Sequence, residues 1–435
     1  MSSINQRSKT KTFTHESAPT NPVSAQEQLK RAVMCCMLWE DQFYENGVSI
    51  ADRISDLIPK VDPDICFNIA VDARNKSKLR HVPLLIARVM AKLPGHRLRV
   101  RELLEEIIQR PDELTEFLAI YWRDKKQPLS AAVKKGLAGA FKKFNEYQLA
   151  KYNLENEIKL RDVLFLCHPK PDTAERQEMW NRLVKGELKT PDTWEVEISG
   201  KGSNKESWIR LLTERKLGAM ALLRNLRNMI TCGVDKKIIK DALVSMKTDR
   251  VLPFRFIAAA RYAPDLEPEL EVAMFKCLEE KEKIKGKTVL LVDVSGSMGD
   301  KISGKSEMIR MDAAMGLAVL TRELCEDVEI FSFSSDLIKI PLRRGFALRD
   351  AIKNSQNHSS TYLGLAMKSI NQTSVYDRVI VITDEQSNDT IPIPKTKGYI
   401  INVASCQNGV GYGPWTHING WSEAILDFIR EYETN

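Results

Sequence analysis

Hydrophobic and polar positions fall into two regimes along the chain. From about Glu27 to Glu282, apolar residues recur at spacings of three and four, which predicts helices nearly throughout. The segments are Gln28–Glu40, Ile50–Ile58, Pro63–Ala73, Val82–Lys92, Leu98–Gln109, Glu113–Trp122 and Leu129–Phe144. Prolines and Asp-containing turns separate them, as helix hairpins require. No strand is predicted in this region. The spacing suits paired antiparallel helices stacked as an irregular HEAT-like solenoid. Gly186–Ser207 breaks the pattern: Thr, Gly, Ser and Lys cluster around Trp194-Glu-Val-Glu-Ile198, which predicts a long surface loop. After Gly286 the rhythm changes. Thr288-Val-Leu-Leu-Val292 and Val379-Ile-Val-Ile382 are uninterrupted apolar runs, the pattern of strands buried on both faces of a parallel sheet. An amphipathic helix over Ile309–Cys325 lies between them. The expected fold class is therefore multidomain, an all-α HEAT-like helical-repeat region followed by an α/β Rossmann-like domain.

Both apolar runs end in polar residues. The first stops at Asp293-Val-Ser295-Gly-Ser297 and the second at Thr383-Asp384, while Ser359-Ser-Thr361 precedes another apolar helix. In open α/β sheets, ligands bind in the loops beyond the carboxyl ends of the strands. Asp293, Ser295, Ser297, Thr361 and Asp384 would together line an oxygen cup. No histidine or cysteine stands among them, so the donors point to Mg²⁺ or Mn²⁺ and away from zinc. Short Asp/Ser/Gly loops also serve as ordinary turns and helix caps. Taken together, the five positions resemble the metal-ion-dependent adhesion site of the von Willebrand factor A domain, over about Lys287 to Tyr432. The resemblance implies that Ser295 and Ser297 touch the cation directly and Thr361 directly or through water. Asp293 and Asp384 would act mostly through water. It also implies an open coordination position that accepts a partner's carboxylate, which means adhesion and no chemistry. Ser359-Ser360 stand where that family often has two glycines.

Charge divides along the same boundary. The net charge is +7, yet residues 286–435 hold 15 Lys+Arg and 18 Asp+Glu, leaving 50 and 40 for the rest. A basic first two thirds attracts polyanions. Eight scattered cysteines without a Cys-x-x-Cys pair fit reduced thiols in a cytoplasmic protein. No run of 18 apolar residues and no leader-like segment near Met1 is present, so a membrane partner is not expected. Residues 1–26 are rich in Ser, Thr, Asn and Lys and are expected to be a disordered lead-in.

Within the helical part, Leu137, Phe141 and Phe144 would face the core, and Lys143, Tyr147 and Lys151, each four apart, an offset stripe. Basic residues interleaved with an aromatic suit phosphate contact and base stacking, or simply a solvated face. Arg161 and His168 are seven apart and share a helix face opposite Val163 and Cys167. His168, just before Pro169, also suits a cation meeting free carbonyls at a helix C-terminus. Arg224 and Arg227 could line a hole or pair with acidic neighbours between helices.

Several runs carry a second resemblance. They are Arg31-Ala-Val-Met34 with Glu40-Asp-Gln-Phe-Tyr44-Glu-Asn-Gly47, Leu79-Arg-His-Val-Pro83-Leu-Leu85, and Lys159-Leu-Arg-Asp162-Val-Leu-Phe-Leu-Cys-His168-Pro-Lys170-Pro171. Ala221-Leu-Leu-Arg224-Asn-Leu-Arg227-Asn-Met229, Leu252-Pro-Phe-Arg255-Phe256 and Trp421-Ser-Glu-Ala-Ile-Leu-Asp-Phe-Ile429 follow. In their joint order they resemble the Ro autoantigen family in its bacterial form, a TROVE helical ring (here residues 27–285) closed by a von Willebrand A domain (286–435). The resemblance implies that Lys151, His168 and basic neighbours such as Lys170 belong to an RNA-binding surface. It further implies a Y-like small RNA on the outside of a monomeric ring and the single-stranded 3′ end of a misfolded non-coding RNA in its hole. An exoribonuclease such as polynucleotide phosphorylase is an implied partner. Glu155 replaces a basic residue frequent in the family's preceding turn.

Catalysis is not expected. A haloacid-dehalogenase-type phosphatase needs an aspartate where Ser295 stands, and no phosphate-binding loop, nucleophile elbow or His-Glu-x-x-His helix occurs. A two-metal nuclease would need more carboxylates than the cup offers. The expected function is RNA binding in non-coding RNA quality control. The alternative is a metal-dependent protein scaffold that recruits a client through the A domain.

Overall fold

The computed structural model describes residues 12–13, 19–20, 24–33, 41–42, 45–77, 79–153, 155–248, 251, 254–279, 281–302, 308–404, 414–420 and 424–434. Contacts divide the chain into two compact units: a helical unit, Ala51–Lys247, and a sheet unit, Met1–Ile50 with Thr248–Asn435. The helices Ala25–Val33, Phe254–Tyr262 and Glu267–Lys276 thus group with the sheet.

The helical unit follows the apolar periodicity. The labelled helices are α1 (Ala131–Phe141), α2 (Glu146–Tyr152), α3 (Leu160–Cys167), α4 (Ala174–Lys185) and α5 (Ala219–Thr231). Leu137, Phe141 and Phe144 are buried, and Val163 and Cys167 fill the inner face of α3. Asp62, Ser130, Asn145, Thr173 and Asn204 each cap a helix by accepting a backbone N–H, which satisfies donors the helix itself cannot. One buried ionic clamp ties three helices together. Arg74, from Pro63–Asn75, donates to the Ile107 carbonyl at 2.9 Å and to Glu113 at 2.6 Å. The fully buried Glu113 also accepts the backbone N–H groups of Gln109 and Arg110, at 2.7 and 3.0 Å.

Two expectations change. The segment expected as a loop contains a helix, Trp194–Lys201. Thr193 caps it, and Arg210 bridges Asp192 and Glu197, so local capping overrides a Gly- and Ser-rich composition. Two short strands, Asp41–Gln42 and Glu45–Ser49, pair antiparallel where only helix was expected. Residues 34–40 of the expected first helix lie outside the described residues. So does most of the lead-in, within which Thr12–Phe13 pairs with Pro19–Thr20. No helix among the described residues is long and apolar enough to cross a membrane.

The sheet unit contains six strands: β1 (Ile284–Asp293), β2 (Cys325–Phe333), β3 (Leu337–Lys339), β4 (Arg378–Thr383), β5 (Lys397–Asn402) and β6 (Trp415–Asn419). They lie in the order β6-β5-β4-β1-β2-β3, parallel except for β3. Val289 and Leu291 face Leu363, Met367 and Ile370 of α7 (Leu363–Thr373), with Val379, Val381 and Trp415 in the same core. Leu290 and Val292 point the other way and are equally buried, and α6 (Arg310–Leu324) packs on β1, β2 and β4. Burial on both faces explains the unbroken apolar runs. The C-terminal helix α8 (Ala424–Thr434) is pinned to the strand bases. Arg378 makes two 2.8 Å bonds to Glu433, one of 2.8 Å to Thr288 Oγ1 and one of 2.5 Å to the Lys285 carbonyl.

Gly364, in the first turn of α7, packs directly on the loop after β4, and Asp389 accepts both its N–H and that of Leu365, at 2.7 and 2.8 Å. A Cβ at position 364 would run into the Thr390 carbonyl oxygen and the Asp389 carboxylate. Gly364→Ala is therefore expected to lower stability by ~2 kcal/mol, read as a reduced denaturation midpoint. An unchanged midpoint would rule out this close packing.

Candidate functional sites

β1 has β2 on one side and β4 on the other, so the chain's crossovers reverse direction between β1 and β4. The carboxyl ends of such a pair frame a crevice, and the polar residues of the sequence lie there. Asp293 and Asp384 are fully buried, Ser295 is buried, Ser297 is half-buried, and Thr361 is 6% exposed. Asp293 Oδ1 accepts the Ser295 N–H at 2.8 Å, and its Oδ2 accepts the Thr383 hydroxyl at 2.6 Å. The Ser295 and Ser297 hydroxyls lie 3.4 Å apart, and Ser297 bonds Asp384. Ser334, just past β2, holds the third loop by accepting the Ser359 N–H and donating to the Ser360 carbonyl, both at 3.0 Å. Gly296 N–H donates to the Ser359 carbonyl at 2.9 Å, which seats that loop against the first serine loop.

Burial, and then the charge of Asp384, pushes the Asp293 carboxyl up. Burial raises Asp384 as well, against the pull of Ser297 and Arg310. Two carboxylates driven toward protonation, with hydroxyls beside them, are hard donors of the kind a small divalent cation takes. Among the described residues no group of three or more His, Cys, Asp or Glu could cage a softer metal.

Sequence reasoning missed Arg310. It is 1% exposed, and its Nη1 lies 3.1 Å from Asp384 Oδ2 and 3.2 Å from the Ser297 carbonyl. A basic residue opening an apolar helix reads as a surface charge, so nothing in the spacing marked it. Glu385, next to Asp384, has a left-handed backbone (φ 62°), is fully buried, and meets His417 Nδ1 at 2.6 Å. Such outliers gather at functional sites.

The helical candidates separate into groups. Lys143 is not on a helix with Tyr147 and Lys151, because the chain turns between α1 and α2 and the Lys143 ammonium bonds the Glu105 carbonyl. Phe144 and Asn145 impose that turn, one buried in the core and the other capping α2, so the three-residue stripe is broken. Tyr147 is 55% exposed on α2, and Lys151, half-buried there, lies over the Tyr152 ring. Arg161, His168 and Lys170 are exposed and make no ion pair among the described residues. Between the first two, at the fourth position, stands Phe165, 53% exposed. Arg161, Phe165 and His168 thus form an exposed basic–aromatic set along α3 and its C-terminal turn. Arg224 and Arg227 are exposed on α5 and likewise without an ion pair among the described residues. Residues 51–247 carry 38 Lys+Arg against 27 Asp+Glu, a net of +11, so the helical unit holds the chain's positive charge.

The TROVE domain family matches residues 16–186 and 180–327, and the Ro60 vWA domain family matches 287–394. Telomerase protein component 1 of Rattus norvegicus is 25% identical over 312 residues, covering 51% of this chain. Its Mus musculus counterpart is 24% identical over 308 residues, covering 50%. Each alignment spans 12% of the relative's own length. The crystal structure of the Deinococcus radiodurans RO (RSR) protein superposes with a TM-score of 0.66 at 18% identity, covering 94% of this chain and all of that one. That superposition extends over both the helical repeats and the α/β domain.

Proposed function

The chain belongs to the Ro family of TROVE-domain proteins, an RNA-binding family, and from that premise we propose a role in non-coding RNA quality control. The observation that carries the proposal is the exposed stripe Arg161–Phe165–His168, whose two basic members make no ion pair among the described residues. The Arg161 guanidinium, left in solvent on a unit of net +11, is available to phosphates, and the exposed Phe165 beside it offers a stacking face. In this reading a Y-like small RNA sits on the outer helical surface, contacting Lys170, Lys151 and Tyr147 as well as the stripe. The single-stranded 3′ end of a misfolded RNA passes through the opening of the helical ring, with Arg224 and Arg227 on its path. Specificity comes from shape and a free end. An exoribonuclease such as polynucleotide phosphorylase would do the cutting in the cytoplasm.

Titration near physiological salt tests this reading, using one RNA duplex with and without a 3′ extension. The extension should tighten binding beyond its added charge, and Lys151/Arg161/His168→Ala should weaken duplex binding at least tenfold. Equal binding of both RNAs, lost with modest added salt, would reduce the contact to counterion release.

The cup favours a second role. Ser295, Ser297 and Thr361 would hold Mg²⁺ or Mn²⁺ through hydroxyls, with Asp293 and Asp384 behind them. A bound cation there supplies a Lewis-acidic position for a carboxylate. With both aspartates ionised, Arg310 already balances one of the two negative charges. A divalent ion would then leave the cup net positive, and an acidic group on a client protein would restore neutrality. This adhesion role can coexist with RNA binding. If the tail and duplex test fails, it becomes the primary reading.

A further inference from the structure

A cleft of about 410 Å³ opens between α3 and α4 in the helical unit, next to the basic–aromatic stripe. The local chain builds it. His168 ends α3 in a left-handed conformation (φ 47°, ψ 55°), and the buried Pro169 follows. A non-glycine residue adopts that backbone only when its surroundings hold it there. The turn leaves His168 and Phe165 on one wall and α4 on the other.

The floor is rigid and polar at one point. Trp180 is 2% exposed and meets Phe141 edge-on, with centroids 5.6 Å apart and planes at 86°. Its Nε1 is buried without an acceptor among the described residues. Buried indole N–H groups usually find a partner. Along α4, Gln177 Nε2 donates to Asn181 Oδ1 at 3.0 Å. That bond leaves one amide acceptor, on Gln177, and one amide donor, on Asn181, without a partner among the described residues. Lys185 closes the end of the cleft, exposed and free of any ion pair among the described residues.

We propose that this cleft binds a single unpaired nucleobase of the RNA, stacked on Phe165 with its edge facing Gln177 and Asn181. The inference rests on the RNA-binding reading above and adds a base-sized subsite to it. An exposed phenyl ring supplies a sequence-tolerant stacking face, and the adjacent amide pair offers one donor and one acceptor to a base edge. His168 and Lys185 stand at the rim, where the flanking phosphates of an extruded nucleotide would pass. The cleft lies at the small end of ligand-sized pockets, so it admits one base and excludes a duplex. A purely electrostatic surface needs neither an exposed phenylalanine nor a walled cleft.

The test uses a paired RNA hairpin and the same hairpin with one bulged 4-thiouridine, against the full chain. Wild type should prefer the bulge by roughly 5- to 100-fold, the range one base-on-aromatic stack supplies. Phe165→Leu should bring the bulged and paired hairpins to equal affinity, and Phe165→Trp should keep the preference. Photocrosslinks from the bulge should map to residues 164–185. If wild type and Phe165→Leu bind both hairpins alike, the subsite is refuted and the RNA-binding reading survives. If neither hairpin is held beyond what modest salt dissolves, the RNA reading falls and the subsite with it. Displacement of the bulged hairpin's crosslink by an acidic Glu/Tyr copolymer, with no bulge preference in titration, would assign the cleft to a protein partner and overturn the proposal.

Discussion

Asp293→Asn is expected to abolish stabilisation by Mg²⁺ and, without metal, to raise the melting temperature at neutral pH. Both effects follow from the proposed metal role of a buried carboxylate facing a second one. A ligand at a hundred times its Kd stabilises a fold by about 2.7 kcal/mol, and the asparagine removes a negative charge that would stand behind the cation. Its amide oxygen can still accept the Ser295 N–H, and the Thr383 hydroxyl can turn to accept the amide N–H, so the loop should stand. The pH dependence has a definite sign. A carboxyl raised in the fold binds its proton more tightly there than in the unfolded chain. The metal-free protein therefore loses stability as pH rises from the ordinary aspartate range through the raised one. Mg²⁺ must displace those protons, so its affinity should climb over the same window. Thermal melts with and without Mg²⁺ at about a hundred times its Kd, at several pH values, measure all four effects. A persistent Mg²⁺ shift in Asp293→Asn would remove that aspartate from the site.

Arg378→Met should be the most damaging single change in the sheet unit, at ~3–5 kcal/mol. Arg378 is 3% exposed, and its loss would strand Glu433 against the base of the sheet, with Lys397 and the Tyr399 hydroxyl as its remaining partners. Burial works against the Glu433 charge, yet the two Arg378 bonds hold its carboxyl below the usual range. Stability from a depressed carboxyl is present above its unfolded value and lost as pH falls through the folded one. The gap between wild type and Arg378→Met should therefore narrow in acid. The double variant Arg378→Met/Glu433→Met should recover most of the loss, because a buried pair replaced whole leaves no stranded charge. Denaturant midpoints of the four proteins form the cycle. A double variant no better than Arg378→Met alone would show that the pair's packing matters more than its charge.

What the sequence made legible was whatever repeats or ends abruptly. Strands β1 and β4 stood out because burial on both faces leaves no polar interruption. The five cup residues stood out because each interrupts an apolar pattern at a strand or helix end. Helix periodicity found the core of α1 and α3. The residues that escaped are those whose role depends on a partner far along the chain. Arg310 and Arg378 look like ordinary charges at element starts until Asp384 and Glu433 arrive, 74 and 55 residues later. Phe165 was not singled out, because an aromatic in an apolar helix is usually a core residue. Its place four residues after Arg161 and three before His168 was the available signal. The helix at Trp194 was hidden by composition, although Thr193 with acidic residues after it marks a helix start.

The clamp of Arg74 and Glu113 has a consequence for how the helical unit moves. Helices stacked only on nearest neighbours can fray one repeat at a time from either end. Here a buried carboxylate joins the Pro63–Asn75 helix to the start of Pro111–Tyr121, and the same guanidinium holds the end of Arg97–Ile107. Pulling the Pro63–Asn75 helix from the Pro111–Tyr121 helix breaks the ion pair, and pulling away the Arg97–Ile107 helix costs the guanidinium its carbonyl bond. The clamp therefore couples the opening of these three helices within the solenoid.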